Sequence, residues 1–190
     1  ARLVGSEMCI RDRYYSNRDF IGLLPFTNGG YVELNSGFAG LEMSLNNSFN
    51  EFEWTLGASV QSQADDRKRF QNNEGVKGEM AMDQLESFDS YGMYALGSLN
   101  KPKYSLQAGV RFDVHQISMN DNFGLDQQYV DYSSRLSAYS PNIGFIYNLN
   151  KNDELYANYG SSYETPSLSE LSANPDGSGF NNQLSPMVSN

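Results

Sequence analysis

Between Lys103 and His115 every even position is apolar or aromatic (Tyr104, Leu106, Ala108, Val110, Phe112, Val114), and every odd position is polar, charged or glycine. Successive side chains of a strand point to opposite faces, so this segment reads as a strand with one apolar and one wet face. It matches the about 9 to 11 residues of a membrane-spanning strand and exceeds the about 5 or 6 of an ordinary soluble one. The period recurs. Phe52, Trp54, Leu56, Ala58 and Val60 form one such face, Ala39, Leu41, Met43 and Leu45 a second, and Tyr139, Ile143, Phe145, Tyr147 and Leu149 a third, with a shorter one at Leu155, Ala157 and Tyr159. Phe88 to Leu99 is also strand-like, but Tyr91, Met93 and Ala95 compete with Tyr94 and Leu96 for the apolar side, which leaves its register open. With a strand at Tyr14 to Leu24, the sequence predicts about seven strands.

Hydrophobic residues make up 39% of the chain and the mean hydropathy is −0.56, values that suit a water-soluble protein. A barrel strand shows lipid only every second residue, so a polar average does not exclude it. No run approaches the roughly 18 consecutive apolar residues of a membrane helix. A net charge of −10 argues against a nucleic-acid partner, because phosphate binding needs clustered cations. The one basic cluster, Arg67 to Arg69, directly follows Asp65 and Asp66 and reads as a locally balanced, solvated loop. Contact with anionic lipopolysaccharide is the sharper alternative.

Residues 1–13 show no alternation, and their charges exclude a secretory signal core. The string GSEMCIRDR resembles translated sequencing-adapter sequence, so these residues are expected to be an artefact with no part in the fold. Cys9 lies within them; from Tyr14 onward there is no cysteine, hence no disulfide or cysteine metal site.

Short asparagine-rich turns (46–50, 100–103, 150–153) alternate with long polar segments (64–87, 117–136, 165–190). Asparagine mimics a turn backbone and tolerates left-handed geometry. Short periplasmic turns and longer extracellular loops are the rule in outer-membrane barrels. The aromatic residues fit: Phe52, Trp54, Tyr104 and Tyr147 lie near short turns, Tyr139 and Tyr163 near long segments, as interfacial girdles require. Seven strands cannot close such a barrel, and an open edge in lipid leaves backbone groups unsatisfied, so the chain is expected to be a fragment.

The stretch ELYANYGSSYETPSLSEL (154–171), with NPDGSG following at 174–179, resembles a signature segment of TonB-dependent outer-membrane receptors. In that family a tyrosine-rich strand leads through Glu-Thr-Pro into Leu-x-Glu-Leu, here Glu164, Thr165, Pro166, Leu168, Glu170 and Leu171. YSLQAGVRFDVH (104–115) resembles the family's Gly-x-Arg-Tyr-Asp strand with Phe112 in the tyrosine position, and DDRKRFQNNEG (65–75) resembles a loop of the siderophore-type branch. The resemblance implies an all-β, antiparallel, up-and-down transmembrane barrel of 22 strands, of which 14–190 would be a part lacking the plug. It further implies a Gram-negative outer-membrane receptor taking up an iron chelate or similar scarce nutrient, energised by the TonB complex through an N-terminal region that this chain lacks. Outer-membrane lipid is then the surrounding partner, and no protein-bound cofactor or catalysis is expected.

The candidate site residues follow from position. Arg67, Arg69 and Tyr163 are expected at extracellular loop ends, where ligand arrives. Gln107, Arg111, Asp113 and His115 share the wet face of one strand and are expected to face the lumen or plug, with simple lumen solvation as the plainer alternative. His115 is the single histidine, so it has no second imidazole for a metal cluster and reads as a lumen or rim contact. A passive porin or structural barrel, and then a soluble β-sandwich, are the competing classes.

Overall fold

Alternation of this length needs a sheet whose two faces meet different surroundings, and the computed structural model, which describes residues 8–124, 131–171, 181 and 183–189, is built on one. Its strands are β1 (Met8–Leu23), β2 (Tyr31–Phe49), β3 (Phe52–Asn73), β4 (Val76–Asn100), β5 (Tyr104–Asp121), β6 (Tyr132–Asn148) and β7 (Glu154–Gly160). They form a 7-stranded antiparallel sheet in chain order, with β1 and β7 at the edges. A small pair, β8 (Ser162–Glu164) and β9 (Met187–Ser189), flanks the four-residue helix α1 (Leu168–Leu171). The segment 174–179 lies outside the described residues.

Register sorts the side chains. Val110 stands opposite Ala95 and Pro141, and Ala95 opposite Leu56, which in turn faces Leu45. From β2 to β6 one face therefore carries an apolar band that no described residue covers: Met93 is 67% exposed and Val110 45%. Along β3 the band runs from Phe52 to Val60, the span of a tilted membrane strand. An exposed apolar surface of this extent marks contact with lipid or protein. The undecided register of 88–99 resolves with Tyr91, Met93 and Ala95 on the band, because they stand opposite Val114, Phe112 and Val110. Tyr94 and Leu96 take the other side.

The short turns form as expected. Asn50 adopts the left-handed region (φ 57°) between the paired residues Phe49 and Phe52. Asn150 Oδ1 accepts from the backbone N–H groups of Asn152 (2.8 Å) and Asp153 (3.1 Å), a side chain standing in for turn backbone.

Two expectations change. The segment 64–87 is a continuation of β3 and β4 rather than a long loop, closed by a turn with positive φ at Glu74 and Gly75. Beyond Val60 the sense of the faces inverts: Asp66 and Lys68 lie on the outward side, while Val32, Leu34, Met82, Ile117 and Met119 are buried on the inward side. Strand signals tuned to a lipid face fade at that inversion. In addition, β1 begins at Met8, six residues ahead of the boundary drawn at Tyr14; Met8–Arg13 pair with Asn46–Leu41. A backbone ladder needs no side-chain alternation to extend along a neighbouring strand. This register sets Arg11 and Arg13 opposite Met43 and Leu41, on the apolar band.

Candidate functional site

The inward face is built in two levels. At the level of the band it is a polar belt. Arg111 Nε donates to both carboxylate oxygens of Asp113 (2.9 and 2.8 Å), and its NH2 group donates to Ser59 Oγ (3.1 Å) across β4. Gly92 makes this crossing possible, because a Cβ there would stand 2.3 Å from the guanidinium and 2.7 Å from Asp113 Oδ1. Tyr94 lies flat across Gly57, where a Cβ would come within 2.1 Å of its ring. Its hydroxyl reaches Glu42 at 3.5 Å while the Arg111 guanidinium sits 5.8 Å from its ring centroid. The expected shared face of Arg111 and Asp113 is thus an ion pair. Gln107 lies on the same face, opposite Ser98 and Gly144.

The upper level, beyond the band, is a buried charge cluster. Arg67 Nε donates to Glu86 Oε1 (2.9 Å) and its NH2 group to Oε2 (3.2 Å), with Asp65 Oδ2 at 3.8 Å. Ser36 Oγ donates to Asp65 (2.6 Å), and Gln63 Nε2 donates to both of its oxygens. The Glu86 side chain is fully buried and that of Arg67 is 7% exposed. This overturns the solvated-loop reading: Arg67 and Arg69 sit in β3 on the inward face. Arg69 is held below the usual guanidinium range by burial and then by the neighbouring Arg67, with Glu86 opposing.

Between the two levels His115 stacks on Tyr163, with centroids 6.1 Å apart and planes 9° from parallel, and lies 5.4 Å from Phe88. The expected polar contact of His115 is therefore an aromatic stack, its Nδ1 without a hydrogen-bond partner among the described residues. Tyr163, expected at an extracellular loop end, lies in β8 against His115; its hydroxyl is pushed up by burial. Beside the stack, Leu168 and Leu171 of α1 pack on Ile117 and Met119, flanked by Phe88, Tyr132 and Leu136. Ser167 and Glu170 cap this helix reciprocally: Glu170 accepts from the Ser167 N–H (2.8 Å) and hydroxyl (2.9 Å), and Glu170 N–H points back to Ser167 Oγ (3.3 Å). These bonds hold the Glu170 carboxyl below its ordinary range.

Asp65, Glu86, Ser59 and Glu42 join this face without having been expected as site residues. Extending the β3 parity of Ser59, Gln61 and Gln63 upward places Asp65, Arg67 and Arg69 inward, and that signal was available.

A family model described as TonB dependent receptor-like, beta-barrel, matches residues 7–190. No curated protein matches the sequence. The fold resembles the siderophore receptor PiuA from Acinetobacter baumannii (12% identity, TM-score 0.65, 85% of this chain and 30% of that one). It also resembles the copper transporter OprC (12%, 0.65, 95% and 32%). A third likeness is to the ferric-catecholate import receptor Fiu from E. coli K12 (12%, 0.55, 87% and 31%). The chain thus spans about a third of each of these three structures.

Proposed function

The chain belongs to the TonB-dependent receptor β-barrel family, and from that membership we propose that it is a wall segment of a Gram-negative outer-membrane receptor for TonB-dependent uptake of a chelated metal, most simply a ferric siderophore. The observation that carries this reading is the division of the sheet: an apolar band faces outward, while the inward face carries the Arg111–Asp113 belt, the Arg67–Asp65–Glu86 cluster and the His115–Tyr163 stack. Such a face offers charge and aromatic planes to a solute inside the barrel. Arg67, Arg69 and Tyr163 form its extracellular end, and Gln107, Arg111, Asp113 and His115 line the part that a plug would meet. The role is transport, and no residue is assigned to catalysis.

The test is uptake of radiolabelled iron from a panel of siderophores by receptor-deficient cells carrying the full-length receptor, with and without TonB. Accumulation that requires both receptor and TonB is expected. Accumulation that persists without TonB would make the protein a porin, and failure with every ferric chelate would reject iron as cargo.

A further inference from the structure

β7 leaves the ladder early. β6 is paired with β5 from Tyr132 to Tyr147, but β7 pairs with it only from Asn142 to Asn148. The stop has a cause in Pro141. Ser161 N–H donates to Pro141 O (3.0 Å), and proline has no N–H to return to Ser161 O, so the rung is half made. The chain then turns off the sheet: β8 begins at Ser162, and Tyr163 stacks on His115 of the inward face. Above Pro141 the far edge of β6 has no strand beside it among the described residues. Asn148 N–H turns to the β5 side, where it donates to Lys103 O (2.9 Å), and antiparallel backbone groups alternate sides. Ser133, Arg135, Ser137 and Tyr139 therefore turn their N–H and C=O groups to the open edge, and all of them are exposed.

An open edge is a template for one more strand, and proteins seldom leave one uncovered. The nearest strand is the chain's own. Continuing the β6–β7 register past Asn142 and Gly160 sets Ser162 opposite Ser140, Tyr163 opposite Tyr139 and Thr165 opposite Ser137. Tyr139 and Ser137 are edge-facing, so each of the latter two pairs would exchange both backbone hydrogen bonds. Pro166 comes only after them, at a position that faces away from β6, where its missing N–H costs nothing. Tyr163 would keep the parity of Tyr159, which stands opposite Ile143 of the band, and so would move to the outer face beside Tyr139. We propose that residues 161–165 are a strap with two seats: the inward one seen here, which covers His115, and a wall seat on the open edge of β6, which uncovers His115 and closes the gap. The His115–Tyr163 stack and the buried Leu168 and Leu171 of α1 hold the inward seat; backbone hydrogen bonds hold the other. A solute that occupies the His115 face favours the wall seat, because the strap competes with it for that surface. The proposal rests on the receptor reading only in taking the inward face as a lumen.

The experiment traps the wall seat in the full-length receptor, without cargo or TonB. Ser137→Cys and Thr165→Cys are introduced together on a background with Cys9→Ser and no other cysteine, because a bonded antiparallel pair sets its Cα atoms about 5.5 Å apart, within disulfide reach. Mild oxidation should cross-link this pair slowly. Adding Leu168→Ala and Leu171→Ala, which weakens the inward seat alone, should speed the cross-link about ten-fold or more. Ser133→Cys with Thr165→Cys, four residues out of register, should stay uncross-linked. Once the Ser137–Thr165 disulfide is closed, diethyl pyrocarbonate should modify His115 several-fold faster than in the parent without the pair, read by peptide mass spectrometry. Absence of the cross-link in both backgrounds, a rate unmoved by the leucine variants, equal cross-linking out of register, or an unchanged His115 rate would each overturn the proposal. Heat-modifiable migration confirms that every variant is a folded barrel. The assay reads the strap and no transport, so its failure leaves the uptake reading intact, and failure of uptake leaves the two seats intact.

Discussion

Arg67 is held between two carboxylates in a part of the sheet that water barely reaches, with Glu86 fully buried. Removing one member of a buried pair strands the other charge, at about 3–5 kcal/mol, whereas replacing both by apolar groups can be near neutral. Arg67→Met in the full-length receptor should therefore destabilise strongly, and adding Glu86→Leu should recover part of the loss; urea unfolding of the single and double variants reads the coupling. A double variant no better than the single one would mean that Asp65 dominates the cluster. At Glu170 the carboxyl is depressed by its bonds from Ser167, so its contribution is present above the unfolded carboxylate value and is lost as pH falls through the folded one. The protection of the Leu171 amide, whose N–H donates to Ser167 O at 3.0 Å, measured as its exchange rate relative to the intrinsic rate at the same pH, should fall on acidification in the native receptor and lose most of that dependence in Glu170→Gln.

The elements were legible where lipid imposed a period. Tyr104 to Val114 alternates because one side of β5 meets hydrocarbon and the other meets the polar belt, and the register agrees residue by residue. Above the band the outward side meets water and the inward side is packed, so Asp65, Arg67 and Glu86 sit where an apolar-in rule puts no charge. Those stretches of β3 and β4 look like loop in sequence for that reason. The face assignment has a direct check in the full-length protein. Arginine at mid-bilayer on a lipid face costs about 2–4 kcal/mol, while lumen substitutions are mostly tolerated. Val110→Arg should lower barrel stability in lipid vesicles markedly and Gln107→Arg little; equal losses would reject the membrane face. The same argument reaches β1. Arg11 and Arg13 occupy band positions, a placement that a lipid face would not select. In a full-length barrel carrying this sequence, Arg11→Leu with Arg13→Leu should raise stability, and no gain would place those arginines at an interface instead.

At the scale of the molecule, strand number decides what the chain can do alone. Each central strand satisfies its backbone on both sides, but β1 and β7 present unpaired edges. In hydrocarbon every orphaned backbone group costs several kcal/mol, which no bilayer-embedded open sheet can offset. In water the same sheet exposes its apolar band, so aggregation through edge and face is favoured. The band was readable in the sequence because period two survives in any piece of a barrel. The partners that Arg67 finds and the α1 cap on Ile117 and Met119 were not, because parity gives a residue's face but not which charges meet across β2, β3 and β4 or where α1 returns over the sheet. Neither closure nor a lumen can be made from seven strands. Residues 1–190 expressed alone are therefore expected to give no heat-modifiable barrel band and no conductance or uptake in vesicles, while the same residues within the full-length receptor give both a folded band and the lipid-face penalty at Val110. A heat-resistant monomeric barrel from the isolated chain would show that its two edges can meet, and would remove the reading of this sheet as one wall of a larger barrel.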